Sequence, residues 1–329
     1  MIKDVLIIGC GPTGLYAWKM AADLNLTGTV VEANQSYGGQ VVSNYPEKFI
    51  YNFPAIPKIL GKEGMDQMYE TIKKDEDMIE TKFNTRITKI VAIQPDEDVE
   101  LFENWFRVSF SDETEHLYKR IVFTDGIGIY TPIRLCDKNY QNVCYSVKDT
   151  NQYKDKDVVI FGGGDSAIDW ANDLAPIAKS ITIVHRRDEF RAKPGNITFA
   201  EKNGVKFLTP YLFDSITEED GEIAKKLKLV HPEDESKSVE IEFDHIIVQF
   251  GQTIKKELLG LLEFDTNKLN KIIVNYHMES SVKGIYAAGD CCWYETKIRN
   301  LISGFYEAMH AIINIEKAVH ARKILNNGW

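Results

Sequence analysis

Long apolar runs are missing from this chain: no stretch of its 329 residues approaches the roughly 20 apolar positions that cross a bilayer. The apolar residues near the N-terminus, Val5 to Ile8, are too few for a secretory signal and run straight into glycines. Cysteine is scarce as well. Cys10, Cys136, Cys144, Cys291 and Cys292 make no even framework, which points to a reducing compartment, with the cytoplasm as the expected location. Histidine and cysteine fall at no metal-ligand spacing, so no metal is expected. Positive charge is in deficit. Against 49 Asp and Glu stand 39 Lys and Arg, a formal net charge of −10, which argues against a broad electrostatic hold on nucleic acid or an anionic membrane. Core-forming residues, by contrast, are plentiful: hydrophobic residues make up 44% of the chain, enough for two buried cores at this length.

The first informative stretch is KDVLIIGCGPTG at residues 3–14. A short apolar strand running into G-x-G-x-x-G is how a parallel strand turns into a helix whose N-terminus faces a pyrophosphate. Gly9 permits the turn, Gly11 lets backbone approach the phosphates, and Gly14 lets helix and strand pack closely, with Pro12 and Thr13 between them. Pro12 to Leu24 then reads as a helix. Glu32 ends the next apolar run, 23 residues after Gly9, where a carboxylate can accept from ribose hydroxyls. The loop that follows carries Gly38-Gly39-Gln40, able to bring amides and a polar side chain to a flat ring, or to serve as a plain turn. Residues 44–57 hold three prolines and four aromatics, too punctuated for a regular element. Such a loop can cover a planar cofactor or plug the edge of a core. A helix is expected over Gly64–Lys74, then strands near Ile87–Val91, Trp105–Phe110 and Ile121–Phe123, with the acidic run at 96–100 as a solvated hairpin end.

The opening pattern then returns. Asp157 to Phe161 is a second strand, Gly162-Gly163-Gly164-Asp165-Ser166-Ala167 is G-x-G-x-x-A, and a helix is expected from Asp169 to Ala178. The position equivalent to Glu32 is His185, followed by Arg186 and Arg187, with Arg191 expected one helical turn beyond. A carboxylate would repel a 2′-phosphate there, whereas guanidinium groups bind one through charge-assisted, often bidentate, hydrogen bonds. The second copy therefore reads as an NADP(H) site, leaving the first for FAD; the bland alternative is an exposed basic loop. Near the C-terminus, a strand at 284–288 ends in Gly289-Asp290, where an Asp can bind a flavin's ribityl or phosphate end. A helix beginning near Ser303 and Gly304 follows, its dipole directed toward the flavin ring.

With GCGPTG at 9–14, GGQ at 38–40, GGGDSA at 162–167, HRRDEFRA at 185–192 and AAGD at 287–290, the chain resembles the low-molecular-weight thioredoxin reductases over nearly its whole length. The resemblance implies an α/β fold of two Rossmann-like three-layer nucleotide-binding domains. The FAD domain would be made from residues 1–124 and 249–329, and the NADP domain from 125–248 inserted between them. That family's C-x-x-C falls here on Cys144-Tyr145-Ser146-Val147, followed by Lys148 at the acid position. One thiol cannot make an internal disulfide, so the thioredoxin-reducing route is closed.

The branch lacking C-x-x-C comprises the thioredoxin-reductase-like ferredoxin–NADP(+) reductases. NYPEKFIYNFPAIPK at 44–58, VCYSVKD at 143–149 and AAGDCCWYETKIRNLISGFYEA at 287–308 are similar to it. That resemblance implies a homodimer in which NADPH passes hydride to FAD and single electrons leave to ferredoxin or flavodoxin. It assigns flavin stacking to Tyr51 and further FAD contacts to Tyr45 and Asp125. No acid–base residue is required. The branch's C-terminal flavin-covering extension has no clear match in the tail ending at Trp329; by chemistry, Trp329 or His320 could serve. An acidic electron carrier calls for a local basic surface, with Lys255-Lys256 or Lys225-Lys226-Lys228 as candidates. Three other readings remain open: reduction of quinones, iron chelates or free flavin; a redox pair at Cys291-Cys292; and a non-catalytic flavin-binding module.

Overall fold

The computed structural model of the chain describes residues 2–44, 46–75, 77–94, 105–219, 221–255 and 257–320. Tyr45, the acidic run at 96–100, Lys256 and the tail at 321–329 lie outside the described residues. In chain order the main elements are β1 (Ile2–Ile8), α1 (Pro12–Asp23), β2 (Gly28–Val31), α2 (Gly39–Asn44), α3 (Gly61–Ile72), β3 (Ile79–Lys82), β4 (Ile87–Ile93), β5 (Trp105–Phe110) and β6 (Glu115–Phe123). There follow β7 (Val143–Cys144), β8 (Asp157–Phe161), α4 (Asp165–Leu174), β9 (Ser180–Val184), α5 (Pro194–Lys202) and β10 (Lys206–Leu208). The remainder are β11 (Leu212–Glu219), β12 (Ile223–His231), β13 (Asp234–Glu242), β14 (His245–Val248), β15 (Ile285–Ala287) and α6 (Leu301–His320).

The chain divides into two compact units, Met1–Ile129 with Ile254–Trp329, and Tyr130–Thr253. Both cuts fall five residues past the boundaries expected at 124/125 and 248/249. Local bonding explains each shift. Thr124 N donates to Ile8 O at 2.8 Å and Gly128 N to Asp125 O at 3.0 Å, so the turn at 124–128 stays with the first unit. Gln249 N donates to Phe161 O at 2.7 Å and the Phe250 ring packs 5.7 Å from Phe161, so that segment stays with the second.

In the first unit β3, β2, β1, β6 and β15 lie side by side and parallel. Ile8 is in register with Val31 and with Phe123, and Phe123 with Ala287. Four strands thus end at one edge, and the loops after them gather there. The N-terminal half of β6 instead pairs with an antiparallel meander of β4 and β5. Val5 to Ile8 are all buried, as a strand covered on both faces requires. The covering helices meet through aromatic contacts, Tyr16 to Phe305 at 5.0 Å and Trp18 to Tyr69 at 5.9 Å.

The second unit repeats the plan with a parallel sheet β7-β14-β8-β9-β10 and adds an antiparallel sheet β11-β12-β13. Phe161, Val184 and Val248 again end together. Helix α4 starts at Asp165 and stops at Leu174, earlier than Asp169–Ala178 predicts, because Pro176 has no N–H with which to continue it. Helix α3 begins at Gly61 rather than Gly64, and α6 at Leu301 rather than Ser303, where Asn300 Oδ1 accepts from Ser303 N at 2.7 Å.

Candidate functional site

At the first edge, Gly9 adopts φ +95°, and a Cβ there would lie 2.8 Å from Thr124 O and from Asp125 Cα. A Cβ on Gly14 would overlap the Gly9 carbonyl. Thr124 Oγ1 donates to Ile8 O at 2.8 Å and Gly9 O at 2.9 Å, so the next loop clasps this turn. Helix α1 starts at Pro12 with Gly11 as its cap, no side-chain cap bond and no acidic residue in its first turn. A Cβ on Gly11 would have only Gly39 within 4 Å. The open helix start is suited to an anion, because its first N–H groups lack intrahelical partners.

Glu32 is 7% exposed and anchored at both oxygens: Oε2 accepts from Cys10 N at 2.8 Å and Oε1 from Asn34 N at 2.8 Å. The carboxylate is therefore held at the end of β2 with lone pairs to spare for hydroxyls. Gly38 N donates to Cys10 O at 2.7 Å, which draws the Gly38-Gly39 turn onto the glycine loop. Gln40, the second residue of α2, reaches the Asp125–Gly128 turn, its amide 3.7 Å from a Cβ built on Gly126. Thr13 lies against both Gly289 and Gly304, where either Cβ would be 2.7 Å from its hydroxyl. Asp290 lies beside that contact and faces Arg299 at 3.8 Å. The structure thus brings together Gly9, Gly11, Pro12, Thr13, Gly14, Glu32, Gly39, Gln40, Asp125, Gly289 and Asp290. Tyr51 is 68% exposed on a loop whose Phe53 packs edge-on against Phe305, 6.2 Å away. Tyr45 lies outside the described residues.

His320 belongs elsewhere. Its Nε2 is 4.0 Å from Asp4 at the beginning of β1, the end of the strand opposite Gly9, because α6 runs the length of the sheet. It therefore lies away from the sheet edge that carries Gly9 in its own chain.

In the second unit, Gly162 has φ +148°, and a Cβ there would lie 2.8 Å from Gln249 O and 2.9 Å from the Ala167 methyl. Among the described residues Gly164 has nothing within 4 Å of its Cβ position beyond its chain neighbours, so the space before Ser166 at the start of α4 is open. His185 closes over Gly163, and its Nε2 lies 3.2 Å from Glu189 O. Burial, followed by the charges of Arg186, Arg187 and Arg191, holds its imidazole below the usual range. Those three arginines are exposed and form no ion pair with a described residue, so their guanidinium groups remain available. Arg191 is not one helical turn beyond Arg187. Residues 185–193 form bends, because Arg191 N donates to Gly163 O at 2.8 Å and Lys193 N to Asp165 Oδ1 at 3.0 Å, and α5 begins only at Pro194. These bonds fold the basic segment back over the glycine loop. They also commit one oxygen of the Asp165 carboxylate to the protein's own backbone.

The cysteines make no bridge. All five are free, and Cys291 and Cys292 are buried with Sγ donating to different carbonyls, Ala288 O at 3.1 Å and Gly289 O at 3.3 Å. Burial and the Glu307 charge push the Cys292 thiol up to about 12. A Cys291-Cys292 redox pair therefore has no support in the geometry. Cys144 shares a 3.1 Å hydrogen bond with Tyr153, and Val147 is fully buried in the second unit's core. Of the candidate docking lysines, Lys226 pairs with Glu242 at 3.1 Å and Lys228 with Asp214 at 3.5 Å, so β12 carries no net basic patch from them. Among the described residues no helix is long and apolar enough to cross a membrane, and no group of three His, Cys, Asp or Glu could hold a metal.

A family model for pyridine nucleotide-disulphide oxidoreductases matches residues 3–321. The chain belongs to the pyridine nucleotide-disulphide oxidoreductase family. Its relatives include the ferredoxin–NADP reductase of Acholeplasma laidlawii, 36% identical over 97% of this chain and 95% of that protein. Ferredoxin–NADP reductase 2 of Oceanobacillus iheyensis is 36% identical over 97% and 94%. Among solved structures, thioredoxin reductase from Lactococcus lactis superposes with a TM-score of 0.74 at 23% identity, covering 97% of this chain and all of that one. This pyridine nucleotide-disulphide oxidoreductase thus has the thioredoxin reductase fold and is an oxidoreductase, and it lacks a disulphide of its own.

Proposed function

We propose that this chain is an FAD-dependent ferredoxin– or flavodoxin–NADP(+) reductase, active as a homodimer in the cytoplasm. The observation that carries the reading is Val147, an apolar side chain with no solvent exposure where a second redox sulfur would have to stand. With no dithiol to receive them, electrons leave from the cofactor. Relatives at 36% identity over nearly the full length bear the name ferredoxin–NADP reductase, which agrees with that exit.

The first unit holds FAD. The amides of Gly11, Thr13 and Gly14 at the start of α1 receive the pyrophosphate, Pro12 fixing the first helical position without a donor of its own, and Glu32 accepts from ribose hydroxyls. Gly39, Gln40, Asp125, Gly289 and Asp290 line the same edge, and Tyr51 supplies an aromatic face for the ring; Tyr45 is assigned to the same cofactor by sequence. The second unit holds NADP(H). The amides at Gly164 to Ser166 take its pyrophosphate, with Ala167 packed behind them against Gly162, and Arg186, Arg187 and Arg191 with His185 take the 2′-phosphate. Bound FAD supplies the hydride and one-electron chemistry; the side chains bind, orient and shield, and no general acid is needed.

Anaerobic stopped-flow tests the reading: flavin bleaching by NADPH against NADH, then reoxidation by ferredoxin or flavodoxin. Equal efficiency with NADH would remove the arginine assignment. Reoxidation by quinone or iron chelate but by no electron-transfer protein would move the activity to small acceptors.

A further inference from the structure

Glu307 on α6 has no solvent exposure, and its carboxylate gathers three donors. Gly289 N donates to Oε2 at 2.7 Å, and Cys292 Sγ lies 3.5 Å from the same oxygen. On Oε1, Tyr294 OH donates at 2.9 Å and Lys297 Nζ at 2.5 Å. The Lys297 side chain is 4% exposed, with Nζ 3.3 Å from Cys292 Sγ and 5.2 Å from the Tyr294 ring centre. Removing two charges from water costs more than their attraction readily returns, so a buried pair is weak evidence for stability alone. What the pair joins is more telling. One end is the amide of Gly289, at φ +81°; the other is a helix whose Gly304, like Gly289, presses on Thr13. Three segments distant in sequence meet there, and among the described residues the Glu307 network fixes the turn before Asp290 to α6 through charge.

We propose that Lys297 and Glu307 are a positioning pair that sets the Gly289–Asp290 turn against the start of α6 and thereby retains FAD. The inference rests on the FAD reading of the first unit. Breaking the pair from either side strands a buried charge beneath the turn. Neutralising both sides removes that penalty, since buried pairs are commonly replaceable together but not singly.

The test follows FAD fluorescence as dilute holoenzyme releases its cofactor, with Tm measured in parallel, for Lys297→Met, Glu307→Gln and the double variant. Each single variant is expected to release FAD about tenfold faster or more, the double within about threefold of wild type. Asp4→Asn serves as the control, because Asp4 binds Thr27 and Lys119 at the opposite end of β1 and has no part in the turn. An Asp4→Asn protein with the same loss of Tm and the same rapid release would overturn the proposal, as would wild-type retention in both single variants. If one single variant does not fold, the other and the double decide it: a double variant that releases FAD faster than the surviving single overturns the coupling. Wild-type protein that holds no FAD at all would instead refute the cofactor reading.

Discussion

Gly39 closes on Gly11 so tightly that a methyl group on Gly39 would lie 2.9 Å from the Gly11 α-carbon. Gly39 also sits at φ +52°, a region that side chains enter at a cost. Gly39→Ala is therefore expected to lose about 1–3 kcal/mol and to push the two loops apart at the mouth of α1. Thermal melts and the FAD-to-protein absorbance ratio check it. An unchanged ratio would show that the contact does not shape the cofactor cradle.

Arg186 and Arg187 are exposed and form no ion pair with a described residue, so neither anchors the described fold. Replacing both with Ala should leave Tm unchanged. Hydrogen bonds to charged groups contribute about 1.5–3 kcal/mol, so KM for NADPH should rise about ten- to hundredfold while KM for NADH stays level. Steady-state kinetics at fixed ionic strength measure this, and added salt should raise KM for NADPH only in the wild type.

Acid should weaken the fold through its histidines. Burial holds His116, His185, His245 and His310 below the ordinary 6.5, so the unfolded chain binds protons that the folded chain refuses. The sign follows: their contribution is whole above 6.5 and is lost as pH falls through the lower folded values. Tm should be flat near neutrality and decline toward about pH 5. His245 packs edge-on to Tyr153 at 5.1 Å, and His245→Gln should flatten part of that decline.

Thiol titration of the native protein should find Cys136 first, since it is partly exposed, whereas Cys10, Cys291 and Cys292 are buried. Burial likewise raises the Cys144 thiol above its usual range. Cys144→Ser should keep NADPH-driven flavin bleaching within about twofold of wild type, since no step needs its thiolate. Loss of turnover in that variant would reopen thiol chemistry at this position.

The strand–glycine–helix units at 2–23 and 157–174 were legible because their demands are local. A tight turn needs Gly9 or Gly162, and close packing needs Gly14 or Ala167, wherever the rest of the chain goes. Arg187 and Arg191 were not legible as a pair, since their segment is shaped by bonds to Gly163 and Asp165, more than 20 residues upstream. The short strand Ile79–Lys82 exists because β2 offers it an edge, and Gly39–Asn44 is helical although its valines are poor helix formers. Lys297 and Glu307 carry no periodic signal at all. Between them the chain forms no helix until Leu301, and only tertiary folding makes the two side chains neighbours.

β15 carries a consequence for synthesis. The second unit, Tyr130–Thr253, is a single uninterrupted piece of chain. The first unit is not: β6 lacks its outer neighbour until Ile285–Ala287 has been made, and Thr13 lacks Gly289 and Gly304 until later still. Because domains fold as units and from the N-terminus during translation, the inserted piece can finish on the ribosome while the unit that began first waits open-edged. Thr13, made early in the chain, is among the last residues of the first unit to find its partners.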